Sequence, residues 1–129
     1  MARLPPDLFA FHQNFFGHTA LTYIMRMLTV IETPIFIRYA DKVWGDPERE
    51  AFIFWLSEHP DAGVLIAGAH GLRKVRWSRP GSGKRGGVRV IYLWSAANHE
   101  LSLLIVYAKA KHDTLSSAFL QALAQSIQE

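Results

Sequence analysis

Cysteine is absent from the 129-residue sequence, which removes disulfides and thiolate metal centres and makes a reducing compartment the natural setting. Charge is also sparse, at 19% of residues against 50% hydrophobic, a balance that suits a packed core and not a disordered chain. No apolar run nears the ~18 residues that a membrane span needs. Arg3, Pro5, Pro6, Asp7 and His12 interrupt the N-terminal stretch where a secretory signal would be continuously apolar. These absences predict one domain in the cytoplasm, a chain of this length being a single domain at ~100–200 residues each.

Carboxylates are missing from a long stretch of the chain, and this absence carries the most information. Between Glu32 and Asp61 there are seven acids and three bases, whereas between Ala62 and Lys111 there are nine bases and one acid, Glu100. Arg73, Lys74, Arg76, Arg79, Lys84, Arg85 and Arg89 follow one another with no acid among them. A field of one sign over so short a stretch attracts polyanions, nucleic acid above all.

Residues 1–26 hold Pro5, Pro6, Gly17 and aromatics without a period. They read as an N-terminal extension, either disordered or upstream of the true start, because Met25 and Met27 immediately precede the first strand pattern. The domain proper is 27–129. Met27–Ile31 is β-branched and predicts an opening strand. Thr33-Pro34 is a cap followed by proline at the first helical position, with Phe36, Ala40, Val43 and Trp44 at helical spacing. Asp46-Pro47 repeats that start, and Phe52, Trp55, Leu56 and His59 form an apolar stripe ending at Pro60. The period then changes from 3.6 to 2. Leu72–Trp77, Val88–Trp94 and Leu101–Tyr107 predict three antiparallel strands. Thr114 then caps a last helix, with Leu115, Phe119, Ala122, Leu123 and Ile127 on one face. The expected fold is α+β: an antiparallel sheet of about four strands, two N-terminal helices on one face, and a C-terminal helix.

Two phosphate-loop signatures fail on context. Gly81-Ser82-Gly83-Lys84-Arg85-Gly86 spells the dinucleotide fingerprint, but a strand pattern follows it where the fingerprint needs a helix. The protein-kinase glycine loop does join strands, yet 129 residues leave no room for a kinase's other loops. The stretch reads as a basic hairpin loop. The six histidines never approach the close spacing of a metal site, so neither metal nor cofactor is expected.

Alternation sends Lys74 and Arg76 to one sheet face and Val75 and Trp77 to the other, while Arg89 alternates against Val88 and Val90. A hairpin therefore gathers Lys74, Arg76 and Arg89 on the face opposite the helices. Tyr107, Lys109, Lys111 and His112 end the last strand. Cations, a phenol and an imidazole on one face suit RNA cleavage, which needs a base for the ribose 2′-OH, donors for the phosphorane and an acid for the leaving 5′-oxygen. Arginines give bidentate phosphate contacts, and a lysine crowded by cations loses its proton more readily.

Gly71-Leu72-Arg73-Lys74-Val75-Arg76-Trp77, then Gly86-Gly87-Val88-Arg89-Val90-Ile91-Tyr92, then Val106-Tyr107-Ala108-Lys109 resemble the HigB-like branch of the RelE-family toxins over residues 27–129. The Asp46-Pro47 start and the His59-Pro60-Asp61-Ala62-Gly63 stop are also similar to that branch. The resemblance implies the toxin of a type II toxin–antitoxin system: an mRNA interferase that cuts mRNA in the ribosomal A site without metal, giving a cyclic phosphate and inhibiting translation. It implies a cognate antitoxin, often a helix-turn-helix protein, and the ribosome with its mRNA as partners. Lys74 and Arg76 match the family's basic pair, Arg89 its next arginine, and Lys109 and Lys111 its later basic residues, which makes these five the catalytic candidates. Arg73, Arg79, Lys84, Arg85, Tyr92, Tyr107 and His112 are candidates for RNA contact, Tyr92 or Tyr107 standing in for a base-stacking tyrosine. Members commonly read Tyr-x-Lys-Asn followed by acids, and the chain departs from them in having Ala110 after Lys109, then Lys111 and His112. The alternatives are a non-catalytic RNA- or ribosome-binding module and a ParE-like gyrase poison.

Overall fold

The computed structural model describes residues 2–3, 28–78, 87–108 and 115–127. Their order is β1 Ala2–Arg3, β2 Thr29–Glu32, α1 Pro34–Val43, α2 Asp46–Glu58, β3 Val64–Leu65, β4 Arg73–Trp77, β5 Val88–Ser95, β6 Glu100–Ala108 and α3 Ser117–Ser126. The α+β class and the β4-β5-β6 meander agree with the sequence pattern. The sheet itself is larger and mixed. Its six strands run β1-β2-β6-β5-β4-β3, and β2 lies parallel to β6 while every other pair is antiparallel. Local alternation marks a strand but says nothing of its partner, and strands of two residues, such as β1 and β3, are too short to show a period.

The helix starts follow capping chemistry. Thr33 Oγ1 accepts from the Phe36 N–H and donates to the Leu103 carbonyl, tying the start of α1 to the middle of β6. For α2 the cap is Gly45, with Asp46 and Pro47 inside the first turn. Asp46 was the expected cap; as the first helical residue its carboxylate still meets the positive helix end. Ser116 caps α3 by accepting from Phe119 N–H, and Thr114 lies outside the described residues. Leu120, Leu123 and Ala124 form the buried face of α3, while Ala122, expected on that face, is exposed.

Two cores sandwich the sheet. Under α1 and α2, Phe36, Ala40, Phe52 and Leu56 meet Val75, Val90, Tyr92, Leu101 and Leu103. On the opposite face α3 packs Leu120, Leu123 and Ala124 against Leu72, Ile91, Leu104, Ile105 and Tyr107. That face was expected to be free of helices; instead α3 covers part of it. Ile91 pairs with Ile105 but Tyr92 pairs with Leu103, so Leu104 is an extra residue in a bulge, and Leu104 and Ile105 both enter the second core.

Strand β2 covers β6 only from Glu100 to Leu103, and α1 packs against β6. Phe36 and Ala40 of α1 therefore enter the first core, whereas Ile35 packs on the second and Tyr39 on both. A helix can touch both cores only at the rim of the sheet. Arg49 of α2 locks this corner: its Nε and Nη2 donate to buried Glu32 Oε1 at 3.0 and 2.8 Å, and its Nη1 donates to Asp41 Oδ1 at 3.1 Å.

Candidate nucleic-acid interface

Strand register assembles the site. Arg76 pairs with Arg89, and Arg89 pairs with Tyr107, so the three side chains form one row across β4, β5 and β6. Lys74 pairs with Ile91 and stands two residues along β4 on the same face. At about 4.8 Å between strands, the row spans roughly 10 Å from Arg76 to Tyr107.

Packing grades the row. Lys74 and Arg76 are exposed, Arg89 is half-buried, and Tyr107 is 3% exposed at the margin of the α3 core. Like charges directly opposite one another in a ladder repel. Arg76 and Arg89 are directly opposite in this way on β4 and β5. Helix α3 fills the face over Ile91, Leu104 and Ile105, and Lys74 and Arg76 stay open to solvent. Among the described residues no group of three His, Asp or Glu side chains could hold a metal ion.

Two candidate contacts turn the other way. Tyr92 is fully buried under α2; its hydroxyl donates to the Pro60 carbonyl and accepts from the Gly63 N–H, each at 2.8 Å. Burial, the largest effect, raises its pKa, against the lowering influence of the Gly63 N–H and the nearby Arg73. Arg73 Nη1 donates to the Gly63 carbonyl at 2.7 Å, with a long contact of 3.4 Å to the Asp61 carbonyl. Both side chains fix the loop between α2 and β3 and do not join the cationic row, and the full burial of Tyr92 corrects the expectation that it contacts RNA. Arg79, Lys84, Arg85, Lys109, Lys111 and His112 lie outside the described residues, as does the Gly81–Gly86 motif. The element that follows that motif is strand β5, which disposes of the dinucleotide reading.

One cation was passed over in the sequence. Lys42, in the last turn of α1, holds its Nζ 5.3 Å from the centre of the Tyr39 ring. The spacing Ile35, Tyr39, Lys42 is a second helical stripe beside the one at Phe36, Ala40 and Val43, and it could have been read as such.

No protein-family model matches the chain. Among solved structures the chain is similar to the E. coli toxin RelE in the free state, a double arginine-to-alanine variant, with a TM-score of 0.51 and 11% identity over 78% of this chain and 97% of that one. Likeness at that identity is one of fold. The chain is thus an α+β protein with a RelE-like fold, and it gathers Lys74, Arg76 and Arg89 on the sheet face that α3 only partly covers.

Proposed function

We propose that this chain is the toxin of a type II toxin–antitoxin system, an endoribonuclease that cuts ribosome-bound mRNA and so inhibits translation. The observation that carries this reading is the row Arg76, Arg89 and Tyr107 with Lys74 beside it. It stands on a fold shared with a protein described as a toxin. The sequence resemblance to the HigB-like branch points the same way.

The chemistry divides among the residues. Arg76 and Arg89 flank the position of the scissile phosphate and hold the charge that builds on its non-bridging oxygens as the 2′-oxygen attacks. The phosphorus forms a bond to the 2′-oxygen and loses its bond to the 5′-oxygen, leaving a cyclic phosphate and a 5′-hydroxyl. Lys74 is the candidate base for the 2′-OH proton. Lys109 and Lys111 are candidates for the proton that the leaving oxygen takes up. Tyr107 flanks Arg89 across the β5–β6 ladder; Arg79, Lys84, Arg85 and His112 supply further RNA contacts. An antitoxin would silence the toxin by covering this cationic face.

Replacing Arg76 or Arg89 with Ala should lower cleavage of ribosome-bound mRNA by about 10²–10³, the usual effect of losing one preorganised donor. Co-sedimentation with ribosomes should weaken only modestly, being spread over many cations. Lys74→Ala should lose cleavage with partial recovery at higher pH. Variants of both arginines that inhibit translation as well as the parent would remove catalysis from this face and leave the RNA-binding module. Inhibition of DNA supercoiling in place of mRNA cleavage would favour the gyrase poison.

A further inference from the structure

We infer that Val64, the exposed residue of β3 opposite Lys74, packs against the base of the nucleotide whose 2′-OH Lys74 approaches and whose 3′-phosphate Arg76 and Arg89 hold. The inference rests on the RNA-cleaving reading above and adds to it a base subsite at the outer edge of the sheet.

Register places the residue. Val64 pairs with Lys74 and Leu65 with Arg73, so Val64 stands on the cationic face and Leu65 on the α2 face. Opposite residues of an antiparallel pair have Cβ atoms about 5 Å apart, and Arg76 lies two residues on from Lys74, about 7 Å along β4. Val64, Lys74 and Arg76 thus occupy adjoining positions on one face, and all three are exposed. Arg89 pairs directly with Arg76. An apolar contact, a base for the 2′-OH and a pair of phosphate donors therefore lie side by side. They match the parts of one nucleotide, which a single ribose joins.

Exposure then selects Val64 over the other apolar side chains. Tyr107 and Ile91 are buried in the α3 core, and Tyr92 is buried on the other face. Among the described residues the exposed large hydrophobics are Phe54, Val64 and Leu65. Phe54 belongs to α2 and Leu65 faces the α2 side, which leaves Val64, at 74% exposure, beside the open cations. Proteins that recognise single-stranded RNA pack its unstacked bases on side chains as well as holding its phosphates. An apolar wall next to a phosphate site has that occupant ready.

The wall is also held in place. Strand β3 has two residues, yet bonds fix the chain on either side of it. Before it, the Gly63 N–H donates to the Tyr92 hydroxyl at 2.8 Å, and the Gly63 carbonyl accepts from Arg73 Nη1 at 2.7 Å. After it, the Ile66 N–H donates to the Leu72 carbonyl at 2.9 Å, and the Ile66 side chain packs on the α3 core. Valine is stiff about χ1, so its two methyls present a fixed surface with little entropy to lose on contact.

The test is titration of the full chain, followed by chemical shifts at low salt, with three dinucleotides: one intact, one lacking the 5′ base and one lacking the 3′ base. A 2′-deoxy 5′ residue keeps all three from being cut. Each has one phosphate, which Arg76 and Arg89 hold, and the 5′ base then falls at Val64. Val64→Ser should weaken the intact and the 3′-abasic dinucleotides by about three- to tenfold and leave the 5′-abasic one unchanged. Leu65→Ser, a like loss of apolar surface on the other face, should change none of them. Arg76→Ala should weaken all three. Both serine variants should unfold thermally close to the parent, because the side chains they replace are exposed. If Val64→Ser weakens the 5′-abasic dinucleotide as much as the intact one, or Leu65→Ser acts as Val64→Ser does, the base contact is overturned. If Arg76→Ala weakens all three and Val64→Ser none, the subsite falls while the reading of the cationic face stands. If Arg76→Ala also changes none, the RNA reading falls and the subsite falls with it.

Discussion

The Tyr92 hydroxyl holds the α2–β3 connection to the sheet by bridging Pro60 and Gly63. Tyr92→Phe removes a buried hydroxyl from two backbone groups and should cost about 1–3 kcal/mol in thermal or denaturant unfolding. Its effect on RNA affinity should be slight, since the ring lies on the face away from the cations. The pH dependence has a definite sign. Burial raises the phenol pKa above the ordinary tyrosine value of 10.0, so its contribution is complete below pH 10 and is lost as the pH climbs through the raised value. Unfolding of Tyr92→Phe should lack that alkaline loss. Gly63 faces the same ring closely: a Cβ there would sit 2.8 Å from the Tyr92 ring and hydroxyl and 3.1 Å from the Lys74 carbonyl. Gly63→Ala should destabilise by about 1–3 kcal/mol through overpacking, measured the same way.

Among the elements, α1 decides most. It follows β2, takes over the rim of β6 and leads into α2, and Arg49 ties all three by bonding Glu32 and Asp41. Glu32 is buried at 2% exposure, so Arg49→Ala leaves a buried carboxylate without its guanidinium partner. Loss of one member of such a pair costs about 3–5 kcal/mol, the upper end applying where both charges are buried. A double replacement by apolar residues should recover much of that loss in a double-mutant cycle. Parts of this arrangement are legible in the residues. Thr33-Pro34 announces the helix start, and parity along β4 and β5 places Lys74, Arg76 and Arg89 together. Parity also separates Arg73 from Lys74 and Tyr92 from Arg89, since neighbours and residues three apart point to opposite faces. The pairing of Arg89 with Tyr107 is not legible, because it depends on register and on the bulge at Leu104.

At the scale of the molecule, charge is segregated. Acids concentrate on the α1–α2 layer and bases on the strands that follow. Binding to single-stranded polyanions should therefore fall steeply with salt, with a slope of about −0.7 per phosphate contact. A flat response would remove the basic face from recognition. We also propose that the domain boundary lies at residue 27, so that a chain lacking residues 1–25 should keep one cooperative thermal transition. The structure bears on the expected size of any loss. Ala2 and Arg3 pair with Ile31 and Val30 at the outer edge of β2, so this ladder goes with the truncation while both described cores remain. Disappearance of the cooperative transition would place the boundary upstream.

By itself the sequence determined what is local: the Thr33-Pro34 start of α1, the period-two strands, the α+β order and the side of each strand on which its cations stand. These follow from backbone sterics and alternation, which act between residues close in the chain. Tertiary structure decided what depends on distant partners. It set β2 parallel to β6, laid α3 over part of the cationic face and paired Tyr107 with Arg89. It also placed α1 beside β6 at the rim of the sheet, in touch with both cores. None of these is written in a period, because each depends on how strands of unequal length and three amphipathic helices bury their apolar surface together.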